Sequence, residues 1–432
     1  MTSHTQHSDT VPAAHAATYP YRFGVWKTMC AALLSIVLLV STTVLGIYLD
    51  LARQVSDSAL DISAFENVMP QSEPEEEPPG DPFTGQAVNI LVSGVDSRYG
   101  EDPRAYGSSE ELSTIQSDTT MVVHLSADRS RIQVVSIPRD LITAIPSCTR
   151  SDGSQTRPYD GMFNSAFTTG AVTDDLAGGV ACTKATVEQL TGLTIDAFVV
   201  VNFSGFKSMV DALGGVWLNL EEEVYDALSG LSLSAGCHNI DSTQALAYAR
   251  ARYNLGDGSD LSRIGRQHQL VGAMFKTLKS KNYLTDLPSL LTFLKATVSA
   301  LKVSQNLADI NTAAGLMLSL TSLERSGLQF ITMPNAPAPW DLNRVIEDLP
   351  RARPVWEALK SDSAFPIGTL YRDISGEETI VTAPTQATEN TAPDSAAPSS
   401  SVSESTPTPS ENAPATAPAA ETQVADSCPP QN

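Results

Sequence analysis

The chain has 432 residues and a formal net charge of -22. The charge is uneven: residues 1–81 carry 3 basic and 10 acidic groups, 82–372 carry 24 and 30, and 373–432 carry 0 and 9. Most of the acidity therefore lies in the flanks, and the whole-chain field argues against nucleic acid as a partner.

No charged residue occurs from Thr28 to Leu49. At about 1.5 Å per residue, that run is long enough to cross a hydrocarbon core of about 30 Å. Trp26 and Tyr48 flank it as interfacial aromatics. No small-residue cleavage site closes the run, so it reads as a retained anchor rather than a signal peptide. Arg22 and Lys27 precede it and Arg53 follows, which favours a cytoplasmic N-terminus and an exported remainder. Cys30 lies inside the span, whereas Cys148, Cys182, Cys237 and Cys428 fall outside, where disulfides persist. The preferred bridge is Cys148 with Cys182, and spacing leaves open whether Cys237 and Cys428 pair. No C-x-x-C pair points to zinc.

A short helix is expected over 50–65, followed by the proline and glutamate run PQSEPEEEPPGDP, which cannot bury a core and reads as a stalk. Strands are expected at 87–95, 119–126, 131–138, 197–203 and 328–333, the second and third joined as a hairpin. Helices are expected at 183–192, 203–215 and 262–282, the first two ending at glycine stops. From about Glu377 onward Pro, Thr, Ser and Ala dominate without Lys or Arg, and no fold is expected there. No repeat of solenoid or propeller length is visible. These elements predict an α/β class chain, with a sheet holding at least one antiparallel pair and covered by helices on both faces.

Asp96 in SGVDSR follows the first strand, and Asp118 in QSDTT precedes the second. Carboxylates at neighbouring strand ends can meet at one sheet edge and hold a hard divalent ion, although each alone could equally cap a turn. Arg139 and Asp140 follow Pro138, which ends the third strand. Further on, YARARYNLGDGSDLSRIGRQ holds Arg250, Arg252, Arg263 and Arg266. Such a cluster repels itself unless anions sit in it, and guanidinium forks match phosphate oxygens in pairs. The plainer alternative is a solvated surface paired to Asp257 and Asp260, but residues 208–275 contain no lysine, which solvated helix faces usually mix in. The helices at 203–215 and 262–301 are apolar enough for core packing or for a lipid-lined groove. No G-x-S-x-G elbow, P-loop or Rossmann glycine pattern is present, His124 reads as structural, and GDGSDLS lacks the closing Glu of a calcium loop.

In order and spacing, NILVSGVDSR, SDTTMVVHLS, IQVVSIPRDL, MFNSAF, TVEQLTGLTIDAFVVVNFSGFKSMVDALGGV, DSTQALAYARARY and GSDLSRIGRQHQ resemble the LytR-CpsA-Psr family from about Val88 to Trp356, and the extracytoplasmic cysteines and acidic Pro/Thr tail resemble its actinobacterial branch. The resemblance implies an α/β/α sandwich with a mixed central β-sheet, preceded by one transmembrane helix, with an apolar pocket for a polyprenyl chain. It implies a cytoplasmic tail at 1–27, a transmembrane helix at 28–49, a stalk at 50–82, a catalytic domain at 83–372 and a disordered acidic tail at 373–432. Carried over by motif, Asp96 and Asp118 would coordinate Mg²⁺ or Mn²⁺ and one would accept a proton. Arg139, Arg250, Arg252 and Arg263 would hold the carrier's pyrophosphate, Arg266 would support them, and Asp140 would orient an arginine. The implied activity is transfer of a glycopolymer from a polyprenyl-pyrophosphate carrier to peptidoglycan at the outer face of the cell membrane. A carrier pyrophosphatase and a non-catalytic wall-binding or regulatory protein are the alternatives. The chain departs from the family's common DG-x-QAL at Asp241-Ser242-Thr243 and from IDHY at Ile195-Asp196-Ala197-Phe198, positions that bear on acceptor and polymer choice.

Overall fold

The computed structural model describes residues 21–65, 83–96, 115–171, 175–226, 229–251, 260–280, 287–319, 323, 327–374, 376–382 and Cys428. It divides into two units, Met1–Arg53 and Gln54–Asn432. Helix α1 (Tyr21–Asp57) contains the stretch Trp26–Asp57, long and apolar enough to cross a membrane. Its hydroxyls return to the helix backbone, Ser35 to Ala31 O at 2.8 Å, Thr42 to Leu38 O at 2.9 Å and Thr43 to Leu39 O at 2.8 Å. A lipid-facing helix needs its polar groups satisfied internally, and α1 meets that demand.

The second unit is built on a mixed sheet. Strands β1 (Ala59–Leu60), β2 (Val88–Asp96), β3 (Gln116–Leu125) and β4 (Ile132–Ile137) lead into a side hairpin, β5 (Ile142–Ile145) with β6 (Tyr159–Met162). Helices α2 (Ser165–Gly170) and α3 (Leu176–Thr191) precede β7 (Ala197–Asn202). Helix α4 (Phe203–Leu213) then leads to four short strands, β8 (Val216–Leu220), β9 (Val224–Asp226), β10 (Leu231–Leu233) and β11 (Gly236–Ile240). Helices α5 (Ser242–Arg250), α6 (Asp260–Ser280) and α7 (Leu287–Ala300) follow, then β12 (Leu301–Ser304), α8 (Ile310–Ser319) and β13 (Leu328–Thr332). The hairpin β14 (Asn335–Ala338) and β15 (Asp341–Glu347), helix α9 (Leu349–Lys360), β16 (Leu370–Arg372) and β17 (Glu378–Ile380) complete the order.

The sheet runs β1-β12-β7-β2-β3-β4-β13-β16-β17. β2 pairs parallel with β7 and antiparallel with β3, β3 pairs antiparallel with β4, and β4 pairs parallel with β13. The expected hairpin is therefore present, with Thr120 opposite Ile137 and Leu125 opposite Ile132. Alternation sorts the side chains: Leu91, Val122, Val135 and Phe198 pack with α3 and α9 on one face, whereas Ile90, Met121, Val134 and Phe330 pack with α8 and Phe275 of α6 on the other. β4 is buried along its whole length because helices cover both of its faces. This is an α/β/α sandwich. A further apolar cluster joins α4, α5 and α6 to β8 and β11.

The glycine stops fall where expected, with Gly192 and Gly214 left-handed at φ 64° and 80°. α3 starts seven residues earlier than its sequence pattern suggests, capped by the Asp175 side chain on the Ala177 N–H. Gly178 has a packing purpose: a Cβ there would lie 2.5 Å from Gly170 O, so glycine lets α2 and α3 touch. Two segments assigned to the flanks join the folded unit. Ala59–Leu60 pair parallel with β12 and Ile62 enters the core, inside the segment read as stalk. Past 372, Glu378–Ile380 pair with β16, inside the segment read as tail.

Cys148 is bonded to Cys182, as expected, and Cys237 is bonded to Cys428, which spacing had left open. Cys30 is free. His124 is structural: fully buried, it sits between Asn89 Oδ1 at 2.8 Å and Asp362 Oδ1 at 3.1 Å, and burial holds its pKa below the ordinary imidazole range.

Candidate functional site

The strand directions gather the chemistry. β2, β4, β7 and β13 all run the same way and β3 runs against them, so one sheet edge collects the carboxyl ends of the first four and the start of β3. Open α/β sheets bind ligands at such an edge. Asp96 ends β2, Asp118 lies near the start of β3, Arg139 follows β4 and Phe203 follows β7.

Asp118 lies inside β3, not just before it as expected. The β2–β3 register steps from Gly94 opposite Thr119 to Val95 opposite Ser117, leaving Asp118 as the extra residue of a β-bulge. A bulge frees its residue from the pleat and re-aims its side chain. Asp96 pairs with Gln116, two positions from Asp118, so the two backbones meet at this edge. The Asp96 side chain lies outside the described residues.

Pro138 ends the β4 ladder, and a turn closes from the Leu141 N–H to Pro138 O at 3.1 Å. This projects Arg139, whose Nη1 donates to Asp118 Oδ1 at 2.6 Å. Its backbone N–H donates to Asp260 Oδ2 at 3.1 Å, and its Nε lies 3.7 Å from Asp260 and 3.8 Å from Asp140. Asn164, buried in the MFNSAF motif, holds the same turn through its N–H on Arg139 O at 3.2 Å.

Helix α6 delivers the opposing half. Arg263 is 4% exposed, pairs with Asp260 one turn earlier and donates through Nη2 to Asp118 O at 2.9 Å. Arg139 and Arg263, far apart in sequence, thus share both Asp118 and Asp260. Burial pushes the Asp260 carboxyl up, and Arg263 pulls it back. Gln267, the next residue on the same face, is buried, and its Oε1 has no hydrogen-bond partner among the described residues.

Arg250 ends α5 with its guanidinium carbon 4.7 Å from the centre of the Phe203 ring, at the carboxyl end of β7. A guanidinium resting on a ring face this way gains a cation–π contact that fixes where it sits. Arg266 donates to Ala251 O, which ties α6 to the end of α5, a position that steadies Arg250 from behind. Arg252 lies outside the described residues.

Two participants escaped the sequence reading. Asp260 had been weighed only as a neutralising surface partner, yet its place three residues before Arg263 on one helical face was the available signal. Arg344 of β15 carried none: only folding brings its Nη1 within 3.6 Å of Asp140 Oδ1.

The family model described as LytR_cpsA_psr matches residues 54–348. The chain belongs to the LytR_cpsA_psr family. The probable cell wall biosynthesis protein LcpB of Corynebacterium glutamicum is 34% identical over 197 residues, which cover 45% of this chain and 42% of that protein. The polyisoprenyl-teichoic acid–peptidoglycan teichoic acid transferase TagU of Oceanobacillus iheyensis is 30% identical over 242 residues, 56% of this chain and 67% of that one. The chain thus spans between about two fifths and two thirds of the length of these relatives. Among solved structures, protein gbs0355 of Streptococcus agalactiae superposes with a TM-score of 0.51 over 65% of this chain and 89% of that one, at 21% identity, and is similar to this chain in fold.

Proposed function

We propose that this chain is a membrane-anchored phosphotransferase that moves a glycopolymer from a polyprenyl-pyrophosphate carrier onto peptidoglycan. The observation that carries the reading is the convergence of Arg139 and Arg263 on Asp118, with Arg250 at the neighbouring strand end. Guanidiniums gathered this closely suit a pyrophosphate, whose oxygens they bind in forks. What LcpB and TagU are named for, cell-wall biosynthesis and teichoic acid transfer to peptidoglycan, agrees with it.

In the proposed reaction an acceptor sugar hydroxyl attacks the phosphorus nearer the glycan. A phosphodiester to the acceptor forms, the phosphoanhydride bond breaks, and polyprenyl phosphate leaves with the bonding electron pair. The guanidiniums hold the two phosphates in line and neutralise charge building on the departing phosphate. Asp118 or Asp96 accepts the hydroxyl proton. Oxygen donors at one sheet edge fit a hard divalent cation, so Asp118 and Asp96 would hold Mg²⁺ or Mn²⁺, which would lower the charge on the phosphoryl oxygens when bound. Arg139 occupies one oxygen of Asp118, leaving the other for such an ion.

The carrier's lipid would lie along α4 and α7, which pack together yet keep Phe203, Phe206, Met209, Phe293 and Val298 only half-buried. Core helices of a sandwich this size would cover them. The exported orientation rests on the lysine and arginine bias around the span and on two disulfides in the folded unit.

The test is transfer by the full chain in lipid nanodiscs, given polyprenyl-pyrophosphate glycan and uncrosslinked peptidoglycan. A phosphodiester-linked product that disappears in Arg139→Ala and Asp118→Asn is expected. Equal release of polyprenyl phosphate with and without acceptor would assign the site to hydrolysis instead.

A further inference from the structure

The hairpin β14–β15 is laced to the arginine site through its backbone. Its Val345 N–H donates to Asp140 O at 3.3 Å, Leu141 bridges Val345 in parallel, and Arg344 faces the Asp140 carboxylate. Ala338 pairs with Asp341, so Pro339 and Trp340 form the two-residue turn at the tip. Proline at the first turn position fixes φ and holds the turn open. Trp340 is 69% exposed there and Leu342 is 83% exposed, whereas Trp356 is buried and Trp217 half-buried. Tryptophan is rarely left in solvent to this degree, and an exposed indole beside a second large apolar side chain marks a contact surface.

We propose that this hairpin is the acceptor platform, a carbohydrate subsite on which Trp340 stacks against a pyranose ring of the glycan strand that receives the polymer. The inference deepens the transfer reading and rests on it. An indole offers a flat apolar face to the C–H face of a sugar. Asp341, half-buried at the tip, accepts from the Asn343 N–H and Nδ2 and pairs with Arg344, a polar cluster beside the indole that sugar hydroxyls would meet. From Trp340 to Val345 the chain covers at most about 17 Å at strand spacing, a reach of a few sugar rings. A ring stacked at the tip therefore leads the strand toward Arg139. The charges disfavour an anionic membrane as the occupant, because Asp341, Glu347 and Asp348 outnumber Arg344 on this hairpin and the residue after it.

The experiment is binding, read separately from transfer. Full-length chain in nanodiscs is titrated calorimetrically with uncrosslinked, muramidase-released peptidoglycan oligomers. Trp340→Ala should weaken binding about tenfold, in keeping with loss of one aromatic contact, while affinity for inorganic pyrophosphate stays at the wild-type value. Trp340→Phe should recover most of the loss, and Leu342→Ala should weaken binding less. Oligomer binding by Trp340→Ala and Leu342→Ala equal to wild type would overturn the proposal. So would a loss confined to anionic vesicle binding or to self-association. Wild type that binds oligomers in this Trp340-dependent way but transfers nothing would sink the transfer reading and leave the platform standing.

Discussion

Replacing Asp260 by asparagine keeps the shape of the side chain and removes the negative charge shared by Arg139 and Arg263. Arg139 retains Asp118 at 2.6 Å and Asp140 at 3.8 Å, so its loss is small. Arg263 is different: it is buried, its charge is paired with Asp260 one turn away, and it also donates to the carbonyl of Asp118. Leaving a buried charge without its counter-ion costs roughly 3–5 kcal/mol, and the surviving carbonyl bond sets this case at the lower end, about 3 kcal/mol. At about 2–4 °C per kcal/mol for a domain of this size, the melting temperature should fall by roughly 6–12 °C. Differential scanning fluorimetry of the full chain in nanodiscs measures it. Added inorganic pyrophosphate should recover more of the loss in Asp260→Asn than it adds to wild type, because the anion replaces the missing charge. A melting temperature within about 1 °C of wild type would refute the claim that Asp260 balances these guanidiniums, since a surface pair is worth only about 0–1 kcal/mol.

Arg250→Lys keeps the charge but loses the planar fork and the stacking on Phe203, so transfer should fall about 10- to 100-fold, the equivalent of one charge-assisted hydrogen bond, in the product assay. His268, buried against Ser136 Oγ at 2.7 Å and stacked on Phe330, is held down to about 3 by burial, below its unfolded value of 6.5. Its contribution to stability is therefore complete above the unfolded value and is lost as pH falls, by about 2 kcal/mol between pH 7 and pH 5, and His268→Gln should flatten that slope in urea titrations. Cys428→Ser opens a loop of sequence separation 191, and unfolding should come about 2–4 kcal/mol easier, a difference that vanishes when both forms are reduced.

Much of this was legible before any coordinates. The strands announced themselves because a sheet covered on both faces demands continuous apolar runs, as in IQVVSI. Arg263 stood out because arginine without lysine is an unusual composition for a solvated helix, and Arg139 because Pro138 ends the strand just before it. Their convergence was not legible, since it depends on strand direction and on a one-residue bulge that spacing does not record. Asp260 looked like a neutralising neighbour because its burial is a tertiary fact. Arg344 sits in a strand with no periodic signal, and its partner is two hundred residues upstream. Arg266 could be picked out as a cation, but that its partner would be the Ala251 carbonyl could not. For Cys237 and Cys428 the obstacle was combinatorial: four thiols allow three pairings, and only the fold selects one.

The bond between Cys237 and Cys428 has a consequence for how the chain ages. The described residues on either side of positions 383 to 427 are both held to the folded unit, by β16 and β17 before them and by this bridge after them. A protease that cuts once within those positions would release no fragment. The nicked molecule would run as a single species without reductant and as two pieces with it. Wear there would accumulate unseen, and the molecule would keep Cys428 until the thiols were reduced.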